Sequence, residues 1–260
     1  MSAIKFISGL MSQGQYCFDT KKTVAALGSS PVAVRAALRR LRKKGELAMP
    51  YKGFYVIVPH EFRNMGCLPA SHFIPYLMEH LGERYYAGLL SAAEYYGAAH
   101  HRPQVFQVVI AKNRPSIECG NIKVEFIARK NTDQVQVENI KTPRGYLKIS
   151  TPEATAFDLS GYPHHAGGLD NVATVLAELQ EKLDGTVLKD IAGLSPVSWS
   201  QRLGYLLDLV GAQVKAEGLA EYVAFKKPVP IPLVPSRPFS GMSPLKKWNI
   251  LINSEVEAET

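Results

Sequence analysis

Two features that the sequence lacks narrow the class of protein. Its 260 residues include only three cysteines, Cys17, Cys67 and Cys119, which are odd in number and widely separated. They form neither a disulfide framework nor a zinc-binding pattern, and this is typical of a chain kept in a reducing cytoplasm. Because no apolar run of about eighteen residues is present, we expect neither a membrane span nor a membrane partner. The N-terminus lacks the basic and apolar regions of a secretion signal, which also predicts a cytoplasmic location.

Signatures of common catalytic sites are missing as well. The chain contains no P-loop, no dinucleotide fingerprint and no G-x-S-x-G nucleophile motif. The pairs His100-His101 and His164-His165 could ligate a metal, but adjacent side chains diverge and no third ligand lies at zinc-like spacing. We therefore predict a protein that is not an enzyme, with no catalytic residue, no metal site and no cofactor.

One enzymatic alternative stays open. Glu118, Lys123 and Glu125 lie on or beside a predicted strand, in a pattern similar to that of metal-dependent nucleases. Alternation along the strand would place Lys123 and Glu125 on one solvated face, which is the simpler explanation. The alternative is a nucleic-acid-acting, nuclease-like enzyme that its N-terminal segment brings to its target.

Acidic residues are scarce in the first quarter of the chain. Through Arg63 there are eleven Lys and Arg against three Asp and Glu, which leaves a charge of +8. The remainder has nineteen basic against twenty acidic residues, a charge of −1. This asymmetry indicates a polyanionic partner for the first quarter.

The pattern in that quarter is typical of a winged helix-turn-helix. Residues 4–16 predict a first helix, and 21–27 predict a short second helix that ends at Gly28. Ser29 or Ser30 can cap a third helix with Pro31 in its first turn. Gly45 ends it, and two short strands over 46–49 and 54–58 predict a hairpin with a basic, aromatic tip.

The third helix has the two faces that major-groove binding requires. Val34, Leu38 and Leu41 recur at i, i+4, i+7 and form an apolar stripe that can pack on a core. Arginines recur at the same spacing on a neighbouring stripe, where they can contact phosphates or guanines. The predicted DNA-binding residues are Ser29, Ser30, Val32, Arg35, Arg39, Arg40, Arg42, Lys43, Tyr51 and Lys52.

The fold class that follows is α+β. We predict an N-terminal winged helix-turn-helix over residues 1–65, then a larger mixed α/β C-terminal domain over 66–260 with a small sheet and several helices. Within the second domain, 66–150 has an α+β pattern and 151–260 is mostly helical. A linker-like stretch rich in turn formers, 59–69, separates the two domains, and "RYYAGLLSAAEYYG" predicts a helix.

Several phrases of the C-terminal part resemble one known family. They are "YYAGLLSAAEYYG", "PE-x-T-A-x-DL" (Pro152 to Leu159), "QRLGYLL" (Gln201 to Leu207) and a closing "KKWNILINSEVE". Together with the winged helix they resemble the AbiEi antitoxins of bacterial AbiE-type toxin–antitoxin systems, which are phage-defence systems, over nearly the whole chain.

The resemblance implies a bifunctional protein. The winged helix would bind double-stranded DNA at inverted repeats in the promoter of its own operon and repress it. The C-terminal domain would counteract a nucleotidyltransferase toxin of the AbiEii type, with or without a direct complex. Inverted repeats would suit either a dimer or monomers that cooperate on DNA.

Overall fold

The described part of the chain, residues 2–98 and 103–259 of a computed structural model, has an α+β fold. It divides by contact into two units. Unit 1 comprises Met1–Ala87, Gln104–Thr132 and Asn139–Lys148, and unit 2 comprises Gly88–Pro103, Asp133–Glu138 and Ile149–Thr260. Within the described residues, no helix has the length and apolar character needed to cross a bilayer.

The first six elements follow the order predicted from the sequence, with one strand added. They are α1 (Ala3–Ser12), β1 (Cys17–Asp19), α2 (Thr20–Leu27), α3 (Pro31–Lys43), β2 (Leu47–Tyr51) and β3 (Phe54–Ile57). The strands form an antiparallel sheet in the order β1-β3-β2. Helix α1 ends four residues earlier than predicted, and Gly14 then takes a left-handed backbone with φ of 71°. Strand β1 has three residues, too few to show an alternating pattern.

Local hydrogen bonds explain where the helices begin. An Asp19 carboxylate oxygen accepts from the backbone N–H of Lys22 at 2.7 Å and caps α2. Ser30 caps α3, because its hydroxyl oxygen accepts from the backbone N–H of Ala33 at 3.3 Å. Both bonds satisfy backbone donors that the first helical turn leaves free. Of the two serines proposed as the α3 cap, Ser30 is the one that serves.

In its described residues, the middle of the chain has two helices and six strands that form one sheet. The elements are α4 (Ala70–Leu81), β4 (Tyr85–Ala87), α5 (Leu89–Tyr95), β5 (Val105–Ile110), β6 (Ile117–Cys119), β7 (Ile122–Ala128), β8 (Val137–Thr142) and β9 (Gly145–Ser150). A six-stranded sheet has the order β6-β7-β5-β4-β9-β8, with β5 and β7 parallel. The predicted helix over "RYYAGLLSAAEYYG" is wrong in its first part: Tyr85–Ala87 pairs with β5 and buries Tyr86. Gly88 separates that strand from α5.

The end of the stretch predicted to be a linker is buried in an apolar core. Most of residues 60–66 are exposed, but Cys67 and Leu68 are fully buried. They share one apolar cluster with residues on both sides, Phe54 of β3 and Phe73 of α4 among them. In the division by contact, Met1–Ala87 falls within unit 1. Apolar residues that precede position 66 are buried against residues that follow it.

Unit 2 is mostly helical after Ser150, as the pattern predicts. Its further elements are α6 (Pro152–Gly161), α7 (Leu169–Leu179), α8 (Gly185–Ile191), α9 (Val197–Leu209), α10 (Gln213–Lys226), β10 (Ile231–Pro232) and β11 (Ile250–Leu251). Thr151 caps α6 through a bond from the Ala154 N–H at 3.4 Å. The last strand is short, since only Ile250 and Leu251 pair with β10.

Two charged residues of the C-terminal phrases, Glu153 and Arg202, bind backbone groups. Glu153 lies in the first turn of α6, where its carboxylate accepts from the Asp184 N–H at 2.9 Å. The Arg202 guanidinium donates to the carbonyl oxygens of Ser160 at 2.9 Å and Leu233 at 3.2 Å. Both side chains are buried. These residues join separate segments of unit 2, which explains why the phrases combine charge with apolar neighbours.

A glycine in "QRLGYLL" makes room for a tryptophan. Gly204 lies on α9, and a Cβ atom built on it would overlap the indole ring of Trp248. Trp248 is fully buried, and its indole N–H donates to the Asp208 carboxylate at 2.7 Å. The ring can therefore not move aside without losing both its packing and its hydrogen bond.

Candidate nucleic-acid interface

Helix α3 presents two chemically distinct faces. Val34, Leu38 and Leu41 are at most 4% exposed, and they pack with Phe18 and Tyr55 in a core under the helix. The opposite face is open to solvent, as predicted. All ten predicted DNA-binding residues are exposed: Ser29, Ser30, Val32, Arg35, Arg39, Arg40, Arg42, Lys43, Tyr51 and Lys52.

The structure gives some of these residues local contacts. The Ser30 hydroxyl caps α3, and the Ser29 hydroxyl donates to the Leu27 carbonyl at 3.4 Å. The Arg42 guanidinium lies 3.7 Å from the Met49 sulfur at the base of the wing, the hairpin formed by β2 and β3. Val32 is 69% exposed near the N-terminal end of α3, where an apolar side chain could contact a thymine methyl group.

The tip of the wing is fixed to the start of α2. Lys52 and Gly53 form the turn, and Gly53 has a φ of 80° that favours glycine. The Gly53 carbonyl accepts from the Thr20 N–H at 3.0 Å and from the Thr20 hydroxyl at 3.3 Å. Lys52 is thus held near the N-terminal end of α2.

This arrangement brings in two lysines that the sequence-based site did not include. Lys21 and Lys22 begin α2, and together with Lys52 they line an open cavity of about 580 Å³. Asp19, Glu79 and His80 line it as well, so the cavity is of mixed charge. One feature of the sequence could have added Lys21 and Lys22 to the predicted site. Both lie in the first turn of a predicted helix that is close in sequence to the predicted wing.

Tyr51 contacts another cation that the sequence-based site omitted. The Arg114 guanidinium carbon lies 5.8 Å from the Tyr51 ring centroid, and Arg114 donates to the Tyr51 hydroxyl at 3.5 Å. Arg114 also binds both carboxylate oxygens of Glu83, at 2.6 and 3.1 Å. Tyr51 therefore has a cation–π partner within unit 1 while remaining 36% exposed.

The pair of Arg114 and Glu83 predicts a pH-dependent stability. Hydrogen bonds from Arg114 hold the pKa of Glu83 below its ordinary value of 4.5. A carboxyl group with a lowered folded-state pKa contributes stability that is complete above the unfolded pKa and is lost as pH falls through the folded value. We expect the unfolding free energy of the wild type to exceed that of Glu83→Gln at pH 7, and the difference to shrink below pH 4.5. Urea titrations across this range measure it. Glu217→Gln, an exposed charge change in unit 2, is the control and should not show this pH-dependent difference.

The residues of the nuclease alternative lie at a solvated edge. Lys123 and Glu118 form an ion pair at 3.8 Å with side chains 58% and 71% exposed. Glu125 accepts a hydrogen bond from the Gln107 amide at 3.3 Å. In residues 2–98 and 103–259, no group of three or more His, Cys, Asp or Glu is placed to hold a metal ion.

Only one of the two histidine pairs falls in the described part of the chain. His164 and His165 lie in a short 3-10 helix, with ring centroids 6.4 and 6.1 Å from that of Tyr162. His100 and His101 lie outside the described residues.

Comparisons with known proteins give two family matches. The model described as "AbiEi antitoxin C-terminal domain" matches residues 86–209, and the model described as "Transcriptional regulator, AbiEi antitoxin" matches residues 12–58. The second match contains α2, α3 and the wing. No curated protein sequence matches the chain.

Two solved structures are similar to the chain. The RV2827C protein from Mycobacterium tuberculosis has a TM-score of 0.65 at 19% identity, over 96% of this chain and 90% of that one. At this identity the likeness shows a shared fold alone. An antigenic nucleotidyltransferase-like protein from Paracoccidioides brasiliensis has a TM-score of 0.33 at 7% identity, over 49% of this chain and 87% of that one.

Proposed function

The chain belongs to the AbiEi antitoxin family, and from that premise we propose that it is a DNA-binding autorepressor which also counteracts a nucleotidyltransferase toxin. In this proposal α2, α3 and the wing bind double-stranded DNA at inverted repeats in the promoter of its own operon. Residues of the C-terminal part act on the toxin, of the AbiEii type. The function needs no catalytic residue and no cofactor in this chain.

The observation that carries the DNA-binding half is the exposed basic face of α3. Its arginines recur at i, i+4 and i+7 while the apolar stripe behind them is buried, so the helix can enter a major groove without losing its core contacts. The +8 charge of the first 63 residues supplies the attraction to phosphates.

The wing extends the proposed contact along the DNA backbone. Lys52 lies at the tip, and Lys21 and Lys22 line the same cavity beside it. These three ammonium groups can bind phosphates, which fix the position of a protein on the duplex without selecting a sequence. Sequence selection then falls to α3, through Arg35, Arg39 and the residues near its N-terminal end.

Two copies on one operator fit this geometry. An inverted repeat presents the same half-site twice, related by two-fold symmetry. The chain can therefore bind as a dimer or as two monomers that cooperate on DNA.

The experiment that tests the proposal is a gel-shift titration with the DNA just upstream of the gene, at two salt concentrations with competitor DNA. A sequence-selective shift supports autorepression. A shift that any competitor abolishes equally would contradict it and would leave a general polyanion-binding surface. Cleavage of the fragment on addition of Mg²⁺ would instead support the nuclease-like alternative.

Lys52→Ala is expected to weaken binding several-fold at every sequence. Because the ammonium group is assigned to a phosphate, its loss should also reduce the slope of log affinity against log salt by about 0.9. Arg39→Ala should behave in the same way where its contact is a phosphate. The measurement repeats the titration at four salt concentrations, with Lys189→Ala in unit 2 as the control. An unchanged slope for Lys52→Ala would remove Lys52 from the interface.

A further inference from the structure

Two segments of unit 1 lie in direct backbone contact beside the wing. The Asn121 N–H donates to the Met65 carbonyl at 2.8 Å, and a Cβ atom built on Gly120 would lie 2.8 Å from the Cα of Gly66. Residue 65 thus faces 121, and 66 faces 120, so the two segments run in opposite directions. The next facing pair in this register is Cys67 and Cys119.

The two thiols meet as this register requires. The Cys67 and Cys119 side chains lie next to each other and belong to one apolar cluster. Cys67 is fully buried, whereas Cys119 is partly exposed and lines an open cleft of about 450 Å³. A small oxidant in the cleft can therefore reach Cys119 but not Cys67.

The cleft favours a thiolate at Cys119. Arg39, Arg42 and Lys43 line it together with Cys119, against one carboxylate, that of Glu118. The hydrogen bond from Cys67 lowers the pKa of Cys119, and the charge of Arg42 contributes in the same direction. That same bond, together with burial, raises the pKa of Cys67, and burial raises the pKa of Cys17 to about 12.

We propose that Cys67 and Cys119 form a reversible disulfide site that a peroxide oxidises, with Cys119 as the attacking thiol and Cys67 as the resolving thiol. The Cys119 thiolate attacks one oxygen of hydrogen peroxide and breaks the O–O bond. The products are a sulfenic acid and hydroxide, which takes up a proton to become water. The Cys67 sulfur then attacks the Cys119 sulfur and displaces the hydroxyl group, which leaves as water with the Cys67 proton.

The step is balanced as two thiols and one peroxide giving one disulfide and two waters. The sulfur pair loses two electrons, and the peroxide gains them. A thiol reductant reverses the reaction by exchange. The bond would link β6 to the segment that follows the wing, two parts of the chain separated by 51 residues. This chemistry does not depend on the proposed DNA binding.

Thiol counting after peroxide treatment tests the proposal. The full-length protein and its Cys17→Ser variant are treated with equimolar hydrogen peroxide, and free thiols are counted by maleimide gel shift with and without dithiothreitol. We expect each protein to lose two thiols per chain and to regain both on reduction. Peptide mass mapping should find a bond between Cys67 and Cys119 in the same chain.

Variants that each lack one cysteine distinguish the attacking thiol from the resolving thiol. Cys119→Ser should slow thiol loss at least tenfold, because the remaining thiols, Cys17 and Cys67, lie outside the basic cleft and have raised pKa values. Cys67→Ala should accumulate a sulfenic acid at Cys119 that dimedone traps; if this variant does not fold, Cys119→Ser and Cys17→Ser still decide the matter. A Cys17–Cys67 bond, a bond between two chains, or three intact thiols in the wild type would overturn the proposal.

Discussion

Replacing Arg35, Arg39 and Arg42 together by alanine is expected to lower affinity for the upstream DNA by about 10²- to 10⁴-fold. Each arginine that contacts a phosphate or a guanine edge contributes on the order of 1–2 kcal/mol, and about 1.4 kcal/mol is tenfold in affinity. The three side chains share one exposed face of α3, so their loss removes the centre of the interface. Gel-shift titration or fluorescence anisotropy with the upstream fragment measures the change.

A charge-matched control separates this interface from general attraction. Lys182, Lys226 and Lys246 are exposed in unit 2, and their joint replacement by alanine removes the same charge of +3. We expect that variant to keep its affinity within about threefold. An equal loss in both triple variants would mean that overall charge, and not the α3 face, governs binding. Thermal unfolding of the arginine variant should stay close to that of the wild type, because the buried stripe of α3 is intact.

The same arginine variant tests whether repression and neutralisation are separable. Co-expressed with a toxin that the wild-type protein neutralises, it should still protect cells while a promoter reporter is derepressed. A point variant suits this test better than deletion of residues 1–65, because Phe54 and Val58 are buried against Leu68 and Phe73. Deletion would expose that apolar cluster to water. Loss of protection by a folded arginine variant would show that the two functions share one surface.

Gly204→Ala is expected to lower the unfolding free energy of unit 2 by about 1–3 kcal/mol. The added methyl group would occupy the space of the Trp248 ring, which is fully buried and bonded to Asp208. Overpacking of a dense core forces backbone shifts or strained rotamers, at a cost of this order. Urea denaturation followed by tryptophan fluorescence suits the measurement, because both tryptophans, Trp199 and Trp248, lie in unit 2.

Gly193→Ala is the matched control for this prediction. A Cβ atom at Gly193 would meet no other atom within 4 Å, and its backbone is not in the left-handed region. We expect its effect to be within about 0.5 kcal/mol of zero. If Gly204→Ala lowers the unfolding free energy no more than Gly193→Ala does, Trp248 adjusts to the added methyl group without cost. The close packing of α9 would then not be a constraint.

The sequence predicts the parts of this fold that local rules govern. Ser30, Gly28 and Thr151 cap or end helices as their types predict, because capping depends on a few neighbouring backbone groups. The apolar residues of α3 recur with the helical period of 3.6 residues, so the stripe can be recognised in the sequence. The same spacing places these residues on one face of the helix, which is buried. These features also predict the exposed basic face, which is the centre of the candidate site.

Long-range contacts explain what the sequence does not reveal. Strand β1 forms because β3 lies beside it, and Tyr85–Ala87 is extended because β5 pairs with it. Turn formers over 59–69 suggest a linker, yet Leu68 is buried by residues from distant segments. Arg114 lies some sixty residues from Tyr51 in sequence, so no local pattern could place it at the wing.

Because of the two hydrogen bonds from Thr20 to Gly53, the tip of the wing loses its conformational freedom when the protein folds and not when it binds a ligand. A hairpin tip that is free in solution must be ordered by its ligand, and that ordering entropy weakens the complex. Here the tip is held on α2 during folding, so the entropic cost falls on the stability of the free protein. Association with DNA would then be a rigid-body process. The distance between the wing tip and α3 would be fixed before binding, and the duplex would have to match it. If the chain binds DNA as proposed, an operator whose backbone does not fit this spacing would have to deform, and DNA flexibility would then be part of recognition.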